Sequence, residues 1–362
     1  MVADFDFLEK TSDNIEFMVN NAINERVFPG CVVLVSYFGK TVFHKGFGCF
    51  DYSDKSRKIN KNTIYDLASL TKVIATVPAI MILKDKGEID LDKKVNYYLS
   101  EFKGRYKSRV KIRNLLSHSS GLPSWKPLFE TSNNKTNLLE NLYKVPLEYI
   151  PETDCEYSDL GFILLGEIIE RIASNPLDKF CRNHIFKPLK MRSTYFCPPK
   201  RIRINIPPTE HSPRRERIIQ GEVHDENAYV MGGVSAHAGL FSNVTDIAVF
   251  CQMILNGGTY NGVSLINSDT IREFTKRVEN INQCKWALGW RIFMGENDIM
   301  GSFFSKRSFG HLGYTGTSIW IDPERELFTI LLTNRVHPTS ENKKISDFRP
   351  ALHDEIMKSI RV

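Results

Sequence analysis

The spacing of hydrophobic positions changes four times along the chain. Over residues 13–28 apolar side chains recur every three or four positions, as on one face of a helix. From Gly30 the spacing gives way to two dense apolar runs, GCVVLVSY and TVFHKGFG, with a turn at Phe38–Lys40 between them. The chain is therefore predicted to begin with a helix and a pair of adjacent strands.

The middle of the chain carries mostly helical patterns, separated by several long loops. The three most apolar segments are VIATVPAIMILKDKG, LGFILLGEIIERIAS and VTDIAVFCQMILNGG. Pro78 predicts a kink in the first of them. The glycine pair that closes the third is typical of the end of a helix.

Strand patterns return from residue 285, in WALGWRIFM, GTSIWID and LFTILLTN, and a last amphipathic helix is predicted in ENKKISDFRPALHDEIMKSI. Strands at both ends of the chain thus enclose a helical middle, and the simplest arrangement pairs them in one sheet. We predict an α+β fold in which residues 1–65 and 285–362 form an antiparallel sheet flanked by helices. Residues 66–284 form a mainly helical insertion domain.

Composition and charge exclude several classes of function. The 362 residues are 42% hydrophobic and 25% charged, with a net charge of +6, which is ordinary for a globular protein. Part of the basic excess lies in KRIRINIPPTEHSPRRER, which has no aromatic side chains and reads as a solvated connector. We therefore expect no nucleic-acid partner, while the oligomeric state stays open.

No apolar run approaches the length of a membrane span, so no membrane anchor is expected in this chain. The acidic start, MVADFDFLEKTSDN, lacks the apolar region of a signal peptide. The seven cysteines are widely spaced and odd in number, which argues against a disulfide framework and for a reducing compartment. A cytoplasmic location is expected, unless a signal peptide has been removed.

Neither the cysteines nor the nine histidines show the spacing of a metal site, since Cys-x-x-Cys and His-Glu-x-x-His are both absent. No metal or cofactor is expected. Two other patterns carry little weight. GGVSAHAG misses the nucleophile-elbow pattern because His237 replaces its second glycine. In SHSS, Ser117 and His118 are neighbours in sequence, which does not make them a catalytic pair.

The stretch YDLASLTKVIAT places Ser69 and Lys72 three residues apart, where an apolar helix begins. Ser69 could be a helix cap and Lys72 a solvated helix former, and Ser100–Lys103 and Ser340–Lys343 carry the same pattern. Alternatively, Lys72 lies one turn from Ser69 on the same face and could activate its hydroxyl. The helix N-terminus would favour the negative charge that develops during attack on a carbonyl group.

Two further stretches carry polar groups suited to such chemistry. EYSDLGF places Tyr157 and Asp159 at the start of an apolar helix, where a serine or aspartate could equally be a cap. FGHLGYTGTSIWID places His311 and Gly313 before a C-terminal strand, where glycine permits close approach of a ligand but also a bulge.

In their order and context, these motifs resemble one family, the penicillin-recognising serine hydrolases. The branch is that of class C β-lactamases, D,D-carboxypeptidases and related esterases. LLSHSSGLPS, MGGVSAHAGLFSNVTDIAVF and LLTNRVHP extend the resemblance over nearly the whole chain. The resemblance implies a β-lactamase/transpeptidase-like fold, a site between the sheet and the helical domain, and catalysis through an acyl-enzyme.

The resemblance also implies roles for individual residues. Ser69 is the acylated nucleophile, Lys72 its amine partner and Tyr157 a proton carrier. His311 belongs to the third catalytic motif, and the backbone N–H groups of Ser69 and Tyr314 form the oxyanion hole. Substrate contacts are expected from Asp159, Gly313 and Gly316.

Two departures from the family pattern lower the expectation of efficient β-lactam hydrolysis. Asp159 stands where the family's β-lactamases usually have asparagine, and an ionised carboxylate accepts hydrogen bonds but donates none. It could hold Lys72 as an ammonium and shift the role of base to Tyr157. The third motif of the family usually reads Lys-Thr-Gly or His-Thr-Gly. Here His311 stands in place of the lysine and Leu312 in place of the threonine.

The segment EVHDENAYVMGGVSAHAG is similar to a subgroup of cell-wall-processing members, including N-acetylmuramoyl-L-alanine amidases and a D,D-carboxypeptidase. The resemblance favours a peptidoglycan-derived amide, either a muropeptide or a D-alanyl peptide, as substrate. His224, Asp225 and Asn227 would then line the substrate cleft, or they form a loop network. The alternative functions are a carboxylesterase, a weak β-lactamase, and a penicillin-binding protein without efficient turnover.

Overall fold

The computed structural model describes residues 5–279, 281 and 283–360. It begins with helix α1 (Phe5–Asn24) and the hairpin of β1 (Gly30–Tyr37) and β2 (Lys40–Gly48). α1 ends four residues before the predicted limit because Arg26 adopts a left-handed φ of 56°. The N–H groups of Arg26 and Val27 return to the Ile23 and Ala22 carbonyls, which closes the helix.

The middle of the chain is mainly helical, with a few very short strands. Its helices are α2 (Val77–Asp85), α3 (Val95–Tyr98), α4 (Ile112–Leu116), α5 (Lys135–Lys144), α6 (Asp159–Ala173), α7 (Leu177–Cys181), α8 (Lys200–Arg203), α9 (Glu226–Val230), α10 (Val244–Leu255) and α11 (Ser268–Thr275). Its strands are β3 (Tyr65–Asp66), β4 (Tyr195–Phe196), β5 (His211–Ser212), β6 (Arg217–Ile218), β7 (Leu240–Ser242), β8 (Thr259–Tyr260) and β9 (Val263–Ser264).

The last part of the chain supplies four strands and one helix. These are β10 (Arg291–Ile292), β11 (Phe309–Leu312), β12 (Ser318–Asp322), β13 (Leu327–Thr333) and α12 (Ile345–Ser359). The main sheet has the order β10-β11-β12-β13-β1-β2, and its described pairs are antiparallel. The predicted pairing of strands from both ends in one antiparallel sheet is confirmed.

The inner strand β1 is buried on both faces, which explains its nearly continuous run of apolar residues. Val33 and Val35 pack with α1 and α12 on one side of the sheet. Val32 and Leu34, which point the opposite way, belong to the large core that also holds α2, α6 and α10. The core therefore runs from the sheet into the helical region without a break, and the predicted domain boundaries stay a prediction.

Two local predictions were wrong in detail. WALGWRIFM contributes only the two-residue strand β10. His311 precedes the predicted C-terminal strand, β12, as expected, and itself lies in a further short strand, β11. The irregularity expected at Pro78 lies earlier, in a π-helical turn over Lys72–Thr76. Pro78 follows this turn in the same continuous helix, since Thr76 and Val77 keep helical backbone angles. Its missing N–H therefore leaves one backbone hydrogen bond of that helix unmade.

A disulfide bond joins Cys155 to Cys284, with their Cα atoms 5.5 Å apart. The cysteine count and spacing argued against a disulfide framework, and they gave no indication of this single bond. The two residues are 129 positions apart, and only the fold brings their loops together. In the described ranges, no helix is long and apolar enough to span a membrane. Those ranges also contain no group of three or more His, Cys, Asp or Glu side chains placed to hold a metal ion.

Candidate active site

Ser69 is presented by a strained turn between β3 and the first helix of the middle region. Ala68 adopts a φ of 47°, which is costly for a residue with a Cβ atom and is typical of functional sites. The buried carboxylate of Asp66 stabilises the turn by accepting a hydrogen bond from the Ala68 N–H at 2.9 Å. The Ser69 hydroxyl forms hydrogen bonds with the side chains of Lys72 and Tyr157. It therefore does not act as the cap of a described helix.

The amine of Lys72 is fully buried and faces three oxygen atoms. Its Nζ lies 3.2 Å from Ser69 Oγ, 2.6 Å from Asp159 Oδ1 and 2.9 Å from the carbonyl oxygen of His237. An ionised carboxylate and a carbonyl can only accept hydrogen bonds. When Lys72 is neutral, they take its two N–H groups, so its lone pair faces the Ser69 hydroxyl. The geometry thus suits proton transfer from serine to lysine.

Tyr157 contacts the same hydroxyl. Its OH lies 2.8 Å from Ser69 Oγ and 3.0 Å from Asp159 Oδ1. The start of α6 fixes this arrangement because Ser158 caps the helix, its Oγ accepting from the Gly161 N–H and donating to the Pro123 carbonyl. Tyr157 and Asp159 flank that cap, one residue on each side.

Burial affects the two proton carriers in opposite directions. Desolvation lowers the pKa of Lys72 below its ordinary value, although the Asp159 carboxylate opposes the shift. Desolvation raises the pKa of Tyr157 well above its ordinary value, and Asp159 adds to that increase. Burial thus makes the amine easier to deprotonate, and the phenol harder to deprotonate, than either group is in water. These directions favour Lys72 as the base and Tyr157 as a proton donor, whereas the 2.6 Å ion pair with Asp159 fits the hypothesis that this carboxylate holds Lys72 as an ammonium, which stays a prediction.

The turn between β11 and β12 is attached to the backbone that precedes Ser69. Thr315 Oγ1 donates to the Asp66 carbonyl at 2.7 Å, and Thr317 Oγ1 donates to the Leu67 carbonyl at 3.0 Å. The N–H groups of Ser69 and Tyr314 donate no hydrogen bond within the residues that the structure describes. Two unpaired backbone donors beside a nucleophile are what an oxyanion hole requires.

Gly313 and Gly316 are explained by the packing of this turn. A Cβ atom on Gly313 would lie 2.0 Å from Thr317 Oγ1 and 2.5 Å from the Leu67 carbonyl oxygen. Gly316 has a φ of 111°, and a Cβ atom there would meet Thr333 Oγ1 at 2.0 Å. Gly313 thus lets the turn approach the backbone that precedes Ser69, whereas Gly316 lets it pack closely against the end of β13. Their predicted contact with substrate stays a prediction.

His311 is buried in β11 and lies against the ring of Tyr157, with 5.9 Å between ring centroids. Its Nδ1 lies 2.7 Å from the Leu312 carbonyl, so Nδ1 carries the proton and donates. Burial and the charge of Lys72 lower the pKa of His311 to about 3. The imidazole is therefore neutral at physiological pH and does not supply the positive charge of a lysine at this position.

His224 lies at the rim of the site, where its ring stacks on Tyr314 at 5.7 Å and its Nε2 contacts Glu210 Oε2 at 2.8 Å. Asn227 is different, because its side chain is fully buried. Its Oδ1 accepts from the Phe129 N–H and its Nδ2 donates to the Lys126 carbonyl, each at 2.9 Å. The expectation that Asn227 lines the substrate cleft was wrong, since its amide holds two loops together.

Two residues beside Tyr157 were not recognised from the sequence. His118 Nδ1 accepts a hydrogen bond from the Ser158 N–H at 3.0 Å, and its ring lies 4.8 Å from that of Tyr157. The Trp286 ring lies 5.5 Å from Tyr157 and 4.4 Å from His118. The motif SHSS contains His118, but nothing in the sequence connects this histidine with Tyr157.

A serine hydrogen-bonded to a buried lysine and to a tyrosine, beside two unpaired backbone N–H groups, is the arrangement of a serine hydrolase. A model of the Beta-lactamase family matches residues 15–351 of this chain. The chain belongs to that family and is a serine hydrolase of the β-lactamase-related kind.

Proteins similar to this chain carry carboxypeptidase, hydrolase and penicillin-binding protein names. A protein of Salmonella agona (strain SL483) named "Putative D-alanyl-D-alanine carboxypeptidase" is 35% identical over 355 residues, which cover 88% of this chain and 82% of the relative. EstCE1, described as "a hydrolase with promiscuous acyltransferase activity", has a TM-score of 0.75 at 18% identity and covers 95% of this chain and 99% of its own. The octameric penicillin-binding protein homologue from Pyrococcus abyssi has a TM-score of 0.72 at 22% identity, covering 96% and 79%. The two structures show the shared fold.

Proposed function

We propose that this chain hydrolyses an amide bond in a D-alanyl peptide derived from peptidoglycan. The observation that carries the proposal is the position of Ser69 Oγ, 3.2 Å from Lys72 Nζ and 2.8 Å from Tyr157 OH. The carboxypeptidase name of relatives 35% identical to the chain supports this class of substrate.

The reaction uses first Lys72 and then Tyr157, the two side chains that contact the Ser69 hydroxyl. Lys72 accepts the hydroxyl proton as Ser69 Oγ attacks the carbonyl carbon, and the N–H groups of Ser69 and Tyr314 stabilise the oxyanion. The C–N bond breaks as Tyr157 donates a proton to the leaving amine and recovers one from the Lys72 ammonium. Water then attacks the acyl-enzyme through the same groups, which releases the acid and restores Ser69.

Charges at the rim of the site suit a peptide that carries both an amine and a terminal carboxylate. Asp159 keeps 15% of its side chain exposed beside Ser69 and can accept from an ammonium or hydroxyl group of the acyl part. Beyond the oxyanion turn, the Arg335 guanidinium lies 4.6 Å and the exposed Lys343 amine 6.0 Å from the centre of the Tyr314 ring. Arg335 is buried, with its Nε and Nη1 donating to backbone carbonyls. The exposed Lys343 amine is therefore the cation that favours a leaving group with a free carboxylate.

The test is release of D-alanine from a synthetic acyl-D-alanyl-D-alanine peptide, with the acyl-enzyme identified by intact-mass measurement. Ser69→Ala should abolish both, whereas Ser100→Ala should change neither. Ser100 is the matched control because it begins another Ser-x-x-Lys stretch, and its hydroxyl contacts only Glu101 among the described residues. Equal losses in both variants, or D-alanine release by Ser69→Ala, would contradict the proposal.

A carboxylesterase is the second candidate, and the neutral state of His311 favours it. A simple ester has no carboxylate that needs a cation in the third motif. Turnover of p-nitrophenyl butyrate without any release of D-alanine would select this function. A single burst of acylation without steady turnover would instead indicate a penicillin-binding protein.

A further inference from the structure

A second chain of hydrogen bonds lies behind the active site, formed by Ser235, His237 and Asp225. Ser235 Oγ lies 2.8 Å from His237 Nδ1, and His237 Nε2 lies 2.9 Å from Asp225 Oδ1. Ser235 and His237 are each only 1% exposed. The same Asp225 oxygen caps α9 by accepting from the Ala228 N–H at 2.7 Å.

These three residues have the composition of a catalytic triad but the wrong geometry for one. In Ser-His-Asp hydrolases the serine contacts Nε2 and the aspartate contacts Nδ1. Here the ring is reversed, and the Ser235 hydroxyl faces Met231 Sδ at 3.4 Å in the interior. A substrate carbonyl has no access to this serine, so the chain of contacts must serve another purpose.

The backbone of His237 connects this chain to the catalytic lysine. Its carbonyl oxygen is one of the two acceptors that fix the N–H groups of Lys72, at 2.9 Å from Nζ. Two hydrogen bonds hold the His237 ring between Ser235 and Asp225, which restricts rotation of the peptide that carries this carbonyl. The direction of the Lys72 lone pair thus depends on contacts behind the site.

Asp225 also brings a negative charge close to the catalytic groups. Burial would raise the pKa of Asp225, but the contacts with His237 and the Ala228 N–H outweigh burial and hold the pKa below its usual range. The charge of Asp225 in turn raises the pKa of Lys72 and of Tyr157, in each case as a contribution smaller than that of burial.

We propose that Asp225 and His237 are positioning residues for the Lys72 amine. The His237 carbonyl orients this amine towards Ser69, while the Asp225 carboxylate holds the His237 ring and adds a negative charge near the amine. This inference rests on the proposed use of Lys72 as the base. The other charged or titratable groups that face Lys72 are Asp159, Tyr157, His118 and His311. The charge of Asp225 also raises the pKa of Asp66, and the charge of His224 lowers the pKa of Asp225.

The first test is Asp225→Asn, which removes the charge but keeps an oxygen that can cap α9 and accept from His237. With less negative charge nearby, the pKa values of Lys72 and Tyr157 both fall. Both arms of the profile of acylation rate against pH should move to lower pH, by about one unit for a nearby buried charge. Asp246→Asn is the matched control, since Asp246 is also a buried acceptor near the start of a helix but bonds Ser193 and Thr194 instead. An unmoved profile in Asp225→Asn, or an equal shift in Asp246→Asn, would overturn the proposal.

The second test measures the lysine itself, so that its outcome does not depend on turnover. Nuclear magnetic resonance titration of labelled lysine, with the Lys72 signal assigned from Lys72→Arg, should give a lower pKa in Asp225→Asn than in the unaltered protein. Ser235→Ala keeps the Asp225 charge and loosens the ring, so it should leave the Lys72 pKa in place and lower kcat several-fold at unchanged KM. A Lys72 pKa that is equal in all variants refutes the inference. A wild-type protein that forms no acyl-enzyme refutes the proposed function instead.

Discussion

Replacing Asp159 by asparagine tests the assignment of the base most directly. The Asp159 carboxylate lies 2.6 Å from Lys72 Nζ and 3.0 Å from Tyr157 OH, and the same oxygen makes both contacts. An asparagine carbonyl can accept both hydrogen bonds, so the variant removes charge while it preserves the geometry. The new amide nitrogen also provides a donor where the carboxylate has none.

The size of the effect follows from the distance and the burial of the pair. Two unit charges 2.6 Å apart interact by about 6 kcal/mol at an effective dielectric constant near 20. Lys72 is fully buried, but Asp159 is 15% exposed, so solvent screens part of this attraction. A close opposite charge typically shifts a pKa by about 1–3 units. Its loss should lower the pKa of Lys72 by that amount and move the acidic arm of the acylation profile to lower pH.

The assay is the rate of covalent labelling by a fluorophosphonate, followed by intact mass across a range of pH. Asp154→Asn is the control, because this exposed carboxylate accepts from the Cys155 N–H in the same loop without contacting Lys72. Penicillin acylation should rise in Asp159→Asn, since the amide can donate and no longer repels the carboxylate of the drug. An acidic arm that stays in place would show that Lys72 is not the base.

Three further outcomes follow from the same structure. Tyr157→Phe should lower kcat by about 10²–10⁴ without a comparable loss of thermal stability, because it removes the proton donor and keeps the ring; unchanged turnover would make Tyr157 a packing residue. Cys155→Ser should lower the free energy of unfolding by about 2–4 kcal/mol in calorimetry, and reductant should have this effect on the wild type alone. Glu210 has its pKa lowered from 4.5 to about 2 because the hydrogen bonds from His224 and Ser340 outweigh burial. Its contribution to stability is therefore present above about pH 4.5 and lost as the pH falls towards 2. Glu210→Gln should cost about 1–3 kcal/mol at pH 7 and flatten acid unfolding in that range, whereas an unchanged acid transition would contradict the assignment.

The parts of the fold that were predictable are those with strong local patterns. The hairpin of β1 and β2 follows from two dense apolar runs around a short turn, and α6 follows from an apolar helix with a serine cap. The two-residue strands β5 and β6 could not be predicted, because such short pairings are set by tertiary contacts and leave no periodicity. The disulfide was missed for a similar reason, since spacing in sequence says nothing about proximity in space.

The site was predictable where a motif fixes geometry through a single helical turn, as it does for Ser69 and Lys72. It was less predictable where a polar residue lies in a loop. The sequence could not distinguish His224, which reaches the rim, from Asn227 three positions later, which points into the interior. The role of the His237 carbonyl was also hidden, because a backbone contact places no demand on residue type.

The order of strands in the main sheet has a consequence for synthesis of the protein. β1 pairs with β2 at once but meets its other neighbour, β13, only after the whole helical region has left the ribosome. Until then the nascent chain holds a strand that is apolar on both faces and has one open edge, which invites pairing with other chains. We therefore expect premature termination before β13 to yield insoluble fragments, and expression of the full chain to depend on chaperones that shield this edge. A ribosome-bound fragment ending before β13 that remained soluble without chaperones would contradict this expectation.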